Sequence, residues 1–273
     1  MVGSSNARMG SVEIVSWGGG SYKQISKMLD AHYKGTIDIS DYWEVGDIRE
    51  ELLYDVIGRS GISNTSNFDL PFIGSQTIKF VIIGFNHDDL VRPINGITKA
   101  AVTVQWLEPF SESLTIDDIM TTGTTNNDPW QKRAIREYTN NNVYNATPED
   151  IRGLIKYVKK KSNTYGTNSI SKDWTNQTNT TDRCFLLSTY EVFGENMFTD
   201  DYYTDNVTPS GTQYIYFQTD INIIKYVDNT AINWLLRGLT YGKGSRDGIC
   251  VSANGNASGV YSSSIHLAPA FCL

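Results

Sequence analysis

The sequence predicts an α+β fold built from short antiparallel strands, two or three helices and long ordered loops. Three observations predict it. Two apolar, β-branched runs, Thr77 to Phe85 and Ala100 to Leu107, flank a stretch of turn chemistry and read as an antiparallel pair. Two helices are read further on, the second with a buried stripe and matching start signals at Thr147. The tail from Gly238 to Leu273 alternates short strand candidates with Gly, Ser and Asn turns. No repeat and no clean boundary interrupts residues 13–273, so one domain is expected there, behind a polar, Gly/Ser-rich flexible arm over 1–12.

The elements follow in order. Val12 to Trp17 is a short strand candidate, broken by Gly18-Gly19-Gly20. Ser21 is placed to cap a helix running to about Tyr33, with Ile25, Met28, Leu29 and His32 on one face and Gly35 available for the left-handed cap conformation. Asp41 to Asp47 leads into a strand or short helix, and the strand pair comes next. Trp130 to about Tyr138 opens a helix that continues to Tyr144. Thr147 then predicts a second helix, with Pro148, Glu149 and Asp150 in its first turn, where they suit the geometry and the dipole. Its buried stripe is Ile151, Leu154, Ile155 and Val158, and Lys159, Lys160 and Lys161 fall at its C-terminal end. Residues 162–180 read as a polar loop, Cys184 to Leu187 as a short buried strand, and 194–212 as a second long, acidic loop.

Charge and composition restrict the function. Lys and Arg number 23 against 30 Asp and Glu, a net charge of −7, so the clustered cations that hold phosphate backbones are not expected and nucleic acid is not a predicted partner. No run reaches the ~18–20 apolar residues of a membrane helix, so membrane insertion is not expected. The first residues lack the continuous apolar stretch of a secretory signal, which implies a cytosolic protein or release by another route, such as inside a virus particle. With 16 Tyr and abundant Asn, Ser and Gly, the composition matches either an adaptable contact surface or long ordered loops.

Few residues carry a chemical signature. His87-Asp88-Asp89 places an imidazole beside two carboxylates, which fits a metal or acid–base site but also turn and capping chemistry; the turn is preferred, because consecutive residues aim at one ion only if the chain bends sharply. Asp200, Asp201 and Asp205, with Glu195 nearby, offer oxygens to calcium, though not at EF-hand spacing, so a solvated acidic loop is the preferred reading and no metal ligand is assigned. Cys184, Cys250 and Cys272 each sit in an apolar block and are expected as buried free thiols; Cys250 and Cys272 can pair only if the terminal strands are adjacent. No phosphate-binding loop, dinucleotide fingerprint or G-x-S-x-G elbow occurs, and no catalytic residue is predicted.

A set of blocks resembles a known family. They are Tyr42-Trp43-Glu44-Val45-Gly46-Asp47, Gly84-Phe85-Asn86-His87-Asp88-Asp89, Trp130 with Arg133 and Arg136, Phe185-Leu186-Leu187-Ser188 with Glu191-Val192-Phe193-Gly194, Trp234-Leu235-Leu236-Arg237-Gly238, Gly248-Ile249-Cys250-Val251 with Asn254-Gly255, and Ala268-Pro269-Ala270-Phe271-Cys272-Leu273. Their order, over about residues 17–273, resembles the DUF6273 family of Firmicutes and their phages. Gly238 departs from it, since the family's arginine is followed by Ser-Pro. The tail pattern also looks like C-type-lectin-fold proteins of the formylglycine-generating and phage variable-receptor kind.

That second resemblance implies a C-type-lectin-like fold and a non-enzymatic receptor-binding or adhesin role. The expected setting is a virion, as a phage tail or fibre component, or another extracellular surface. The expected partners are a host cell-surface glycan or protein and other virion subunits. Sugar sites are weak singly, so a trimer or multi-copy array is expected. Trp234 and Arg237 are expected as structural residues, Arg237 bracing the terminal loops through bidentate hydrogen bonds with Trp234 packed beneath. Ligand contacts are expected from Tyr241, Lys243, Arg246, Asn254, Asn256, Tyr261, Ser263 and His266, which supply aromatic faces and hydrogen-bonding groups, although ordinary polar hairpins explain them equally. Two alternatives remain: a virion assembly protein that uses the fold for packing, and a formylglycine-type enzyme, which would need reactive cysteines in an open cleft. No cofactor is expected, with calcium kept as an option.

Overall fold

The computed structural model describes residues 12–54, 74–111, 113, 130–132, 134–163, 177–195, 209–219, 222–239, 248–259 and 265–273. The fold is α+β, with mixed helices and antiparallel sheets. Its centre is a five-stranded sheet of β1 (Ile48–Leu53), β2 (Gln76–Phe85), β5 (Val102–Trp106), β14 (Ala270–Cys272) and β8 (Cys184–Phe185), in the order β1-β2-β5-β14-β8. The last strand in the chain thus lies inside the sheet, with Phe271 opposite Val104 on one side and Cys184 on the other. Phe80 and Phe271 meet edge to face on this sheet at 5.1 Å.

Helix α1 (Tyr22–Tyr33) forms where its spacing predicts. Ser21 and Gln24 make a reciprocal capping box, and Gly35 takes a positive φ of 67° just past the end. Tyr33 at its last turn donates its hydroxyl to the Leu273 carbonyl at 2.8 Å and accepts from the Ala101 amide at 3.0 Å. Val12 to Trp17 forms no strand. The Val15 carbonyl accepts instead from Trp43 Nε1 at 2.8 Å, and the Trp17 carbonyl from Arg49 at 2.9 Å.

A second sheet, in the order β4-β3-β6-β7, replaces two predicted loops and half a predicted helix. Its members are β3 (Asp89–Ile94), β4 (Ile97–Lys99), β6 (Val158–Asn163) and β7 (Gln177–Asp182). Asn95 and Gly96, both at positive φ, turn β3 into β4, so the polar segment between β2 and β5 is a hairpin and not a loop. The helix expected from Thr147 spans only Glu149–Arg152. Thr147 does not cap it, because its hydroxyl donates back to the Val143 carbonyl at 3.0 Å. Beyond Gly153 the chain extends, and Lys159-Lys160-Lys161 lies in a strand where Lys159 and Lys161 face outward and Lys160 inward. Residues 177–180, the end of the stretch expected as loop, lie in β7 and pair with this strand in register, Lys160 opposite Thr180.

The C-terminal third adds two small sheets. β9 (Lys225–Val227) pairs with β10 (Thr230–Ile232), and β11 (Trp234–Leu239) with β12 (Gly248–Val251) and β13 (Ala257–Gly259). One continuous cluster of buried apolar side chains, from Trp17 to Leu273, joins the three larger sheets, and Ile232 of β10 packs against it. Among the described residues no helix is long and apolar enough to cross a membrane.

Candidate functional site

Two strands and a short helix bring four charged side chains together out of water. Asp88 precedes β3, Lys160 points inward from β6, Arg237 points inward from β11, and Glu191 sits in the helix Thr189–Phe193. That helix starts with a capping box, in which Ser188 Oγ accepts from the Glu191 amide and the Glu191 carboxylate accepts from the Ser188 amide at 2.9 Å. Glu191 is therefore aimed by its own backbone before any other residue touches it.

Arg237 is 1% exposed, yet all five of its N–H donors are used. Two go to Glu191, at 2.5 and 2.9 Å, as a fork. Three go to the carbonyls of Lys161, Leu186 and Ser210, at 3.1, 2.9 and 2.9 Å. One guanidinium thus ties β6, the segment before the 189–193 helix and the segment 209–214 to β11. Trp234 lies fully buried on the same strand, its Nε1 donating to the Ile223 carbonyl at 3.0 Å.

Lys160 reaches Asp88 Oδ1 at 2.5 Å and Glu191 Oε1 at 2.8 Å, over the face of Phe185 at 3.9 Å. The other Asp88 oxygen accepts from Thr103 Oγ1 at 2.6 Å and Tyr214 Oη at 2.8 Å, with Cys272 Sγ at 3.4 Å. The His87 ring stacks on Tyr214 at 3.8 Å, and its Nε2 lies 3.0 Å from Thr212. Gly84 makes room for this stack, since a Cβ there would meet Tyr214 Cδ1 at 3.0 Å.

Burial opposes every charge here, and mutual attraction overcomes it. Burial alone raises the Asp88 carboxyl, but the Lys160 ammonium holds it well below the usual carboxylate range. Glu191 is lowered against the same burial by Arg237 and Lys160. Lys160 and Arg237 are raised by the two carboxylates. Two anions and two cations balance, so the cluster is neutral as a whole. Asp88, Lys160 and Glu191 line a cavity of about 300 Å³, together with His87, Lys99, Lys159, Lys161, Gly211 and Thr212.

The blocks quoted from the sequence converge on this cluster. Asp88, Glu191, Arg237 and Cys272 come from four of them, and Trp130 and Arg136 from a fifth brace the neighbouring strand by bonding Asp182 at 3.1 and 2.7 Å. A family model described as Domain of unknown function (DUF6273) matches residues 111–273. The chain belongs to the DUF6273 family. No curated protein and no solved structure matches it. The matched span holds Lys160, Glu191, Arg237 and Cys272 of this DUF6273 protein, and the structure adds Asp88 and Thr103 from ahead of it. At Gly238, Ile249 fills the space, its Cδ1 lying 2.8 Å from where a Cβ would stand.

Asp88 corrects the reading of His87-Asp88-Asp89 as turn chemistry alone. Asn86 does make the turn, at φ 49°, but Asp88 is 5% exposed and central to the cluster. Lys160 and Glu191 were missed. The Ser188-to-Glu191 spacing is itself a capping-box signal. Of the expected ligand contacts, Tyr241, Lys243, Arg246, Tyr261 and Ser263 lie outside the described residues, as do Arg133, Asp200, Asp201 and Asp205. Asn254 and Asn256 are exposed on the turn between β12 and β13. His266 is half-buried, with Nδ1 at 2.7 Å from the Phe110 carbonyl and its backbone bonded to Asn233 and Leu235, so it is tied to the interior. Cys184, Cys250 and Cys272 are buried and free. Among the described residues no group of three or more His, Cys, Asp or Glu is placed to hold a metal.

Proposed function

We propose that this DUF6273 protein is a non-enzymatic receptor-binding protein of C-type-lectin-like fold that recognises a host cell-surface glycan or protein, as a multi-copy phage tail or fibre component. The observation that carries this reading is the turn holding Asn254 and Asn256. Both side chains are exposed while the backbone beneath them is held: Ser252 N donates to the Asn256 carbonyl at 2.8 Å, and Ala253 N to Asn233 Oδ1 at 2.8 Å. Such a turn presents amides to a ligand with little left to order on binding. Gly255 faces Ile224, two residues before Tyr226, an exposed aromatic on the β9–β10 hairpin. Amides and an aromatic face suit sugar hydroxyls and C–H surfaces. The charge cluster is satisfied by its own partners, which suits a structural role for it.

The test is binding of the purified chain to host cells and to a glycan array, in native form and with Asn254→Ala plus Asn256→Ala, or Tyr241→Ala, Arg246→Ala plus Tyr261→Ala. The expected result is a roughly tenfold or greater loss of affinity with an unchanged melting temperature. Unchanged binding in both variants contradicts the reading. Oligomer contacts that cover these positions contradict it in favour of a virion packing role.

A further inference from the structure

The buried contact between Lys160 and Asp88 has the parts of a self-catalysed condensation. The two residues face each other across strands, since β3 and β6 are antiparallel with Leu90 opposite Val158. The amine nitrogen already touches a carboxyl oxygen at 2.5 Å. Little of these groups meets solvent, the side chains of Lys160, Asp88 and Glu191 being 1%, 4% and 3% exposed. Phe185 closes one side at 3.9 Å. A third group, Glu191, reaches the same nitrogen at 2.8 Å and is rigidly held by Arg237 and the Ser188 amide.

We propose that Lys160 Nζ and Asp88 Cγ become joined by an intramolecular amide bond, with Glu191 as the catalytic proton carrier. The ion-paired form is the resting one; transfer of one ammonium proton from Lys160 to Glu191, 2.8 Å away, gives the neutral amine that is the nucleophile. Nζ attacks Cγ, forming the C–N bond. Thr103 Oγ1 and Tyr214 Oη donate to Asp88 Oδ2, where negative charge develops in the tetrahedral intermediate, and so act as its oxyanion hole. Glu191 takes a proton from nitrogen and returns it to the departing carboxyl oxygen. The ammonium and the carboxylate become an amide and one water: two of the three ammonium protons leave with one carboxyl oxygen, one C–O bond breaks, and nothing is oxidised or reduced. One positive and one negative charge vanish together. Glu191 ends as a carboxylate, still paired with Arg237, so the cluster remains neutral. The bond clamps β3 to β6, and it does not depend on what the chain binds.

The test is the mass of the purified full-length chain against that of Lys160→Arg, which keeps the charge and cannot condense. The native chain is expected to fall short of its sequence mass by one water molecule, and tandem mass spectrometry of a digest is expected to find a branched peptide joining Asp88 to Lys160. Lys160→Arg is expected at full mass, and Glu191→Ala likewise, with both residues unlinked. A native chain at full mass overturns the proposal, and so does a missing water located elsewhere. A linked Glu191→Ala chain overturns the role given to Glu191. The native measurement decides even if a variant fails to fold.

Discussion

Glu191 and Arg237, 46 residues apart, meet as a two-pronged ion pair inside the protein, and the carboxylate that receives the guanidinium is also the capping residue of its own helix. A local backbone rule and a long-range contact thus fix one side chain. Removing either partner would strand a buried charge, which costs about 3–5 kcal/mol in comparable settings.

Gly211 lies against this pair. A Cβ there would stand 2.8 Å from Glu191 Cγ, and Glu191 cannot step aside without breaking its bonds to Arg237, Lys160 and Ser188. Gly211→Ala is therefore expected to destabilise the chain by about 1–3 kcal/mol. Urea unfolding checks it, as a lower midpoint at unchanged slope.

Lys225 gives a pH dependence of unusual sign. It is fully buried over Trp234, and its hydrogen bonds go to the carbonyls of Trp106 and Leu107 at 2.9 and 3.3 Å. Burial lowers its pKa from 10.5 to about 7. Between those values the unfolded chain binds more protons than the folded one, so stability rises with pH. The slope approaches about 1.4 kcal/mol per pH unit at most. Urea unfolding at pH 7 and pH 8.5 is expected to show that rise in the native chain and to lose it in Lys225→Met. Equal slopes would refute the assignment.

The three cysteines are expected to be inert in the folded state. Burial pushes Cys184 up to about 12 and Cys250 up to about 11, and raises Cys272 well above its ordinary value. A thiol reagent at pH 8 should label none of them in the native chain and all three in urea. Rapid native labelling would show an open thiol.

Much of this was legible. Strands β2 and β5, helix α1 with Ser21 before it, and the buried apolar blocks around Cys184 and Cys272 follow from periodicity and caps. The heart of the cluster was not. Three consecutive lysines carry no periodicity, so nothing in Lys159-Lys160-Lys161 tells which one turns inward, and after an apolar stripe they look like a helix end. Gly153 was the stop signal, and Asn95-Gly96 the hairpin signal. Asp88 reads as a turn residue because its partners, Thr103, Lys160 and Tyr214, lie 15, 72 and 126 positions away. Only the sheet pairing brings them together.

The claim that Arg237 braces these segments rests on its fork and on its bonds to three carbonyls, and urea unfolding of Arg237→Lys tests it most directly. Lysine keeps the charge but offers three donors from one point, too few for Glu191 and the carbonyls of Lys161, Leu186 and Ser210. The account predicts a loss of at least about 2 kcal/mol; stability within about 0.5 kcal/mol of the native chain would contradict it.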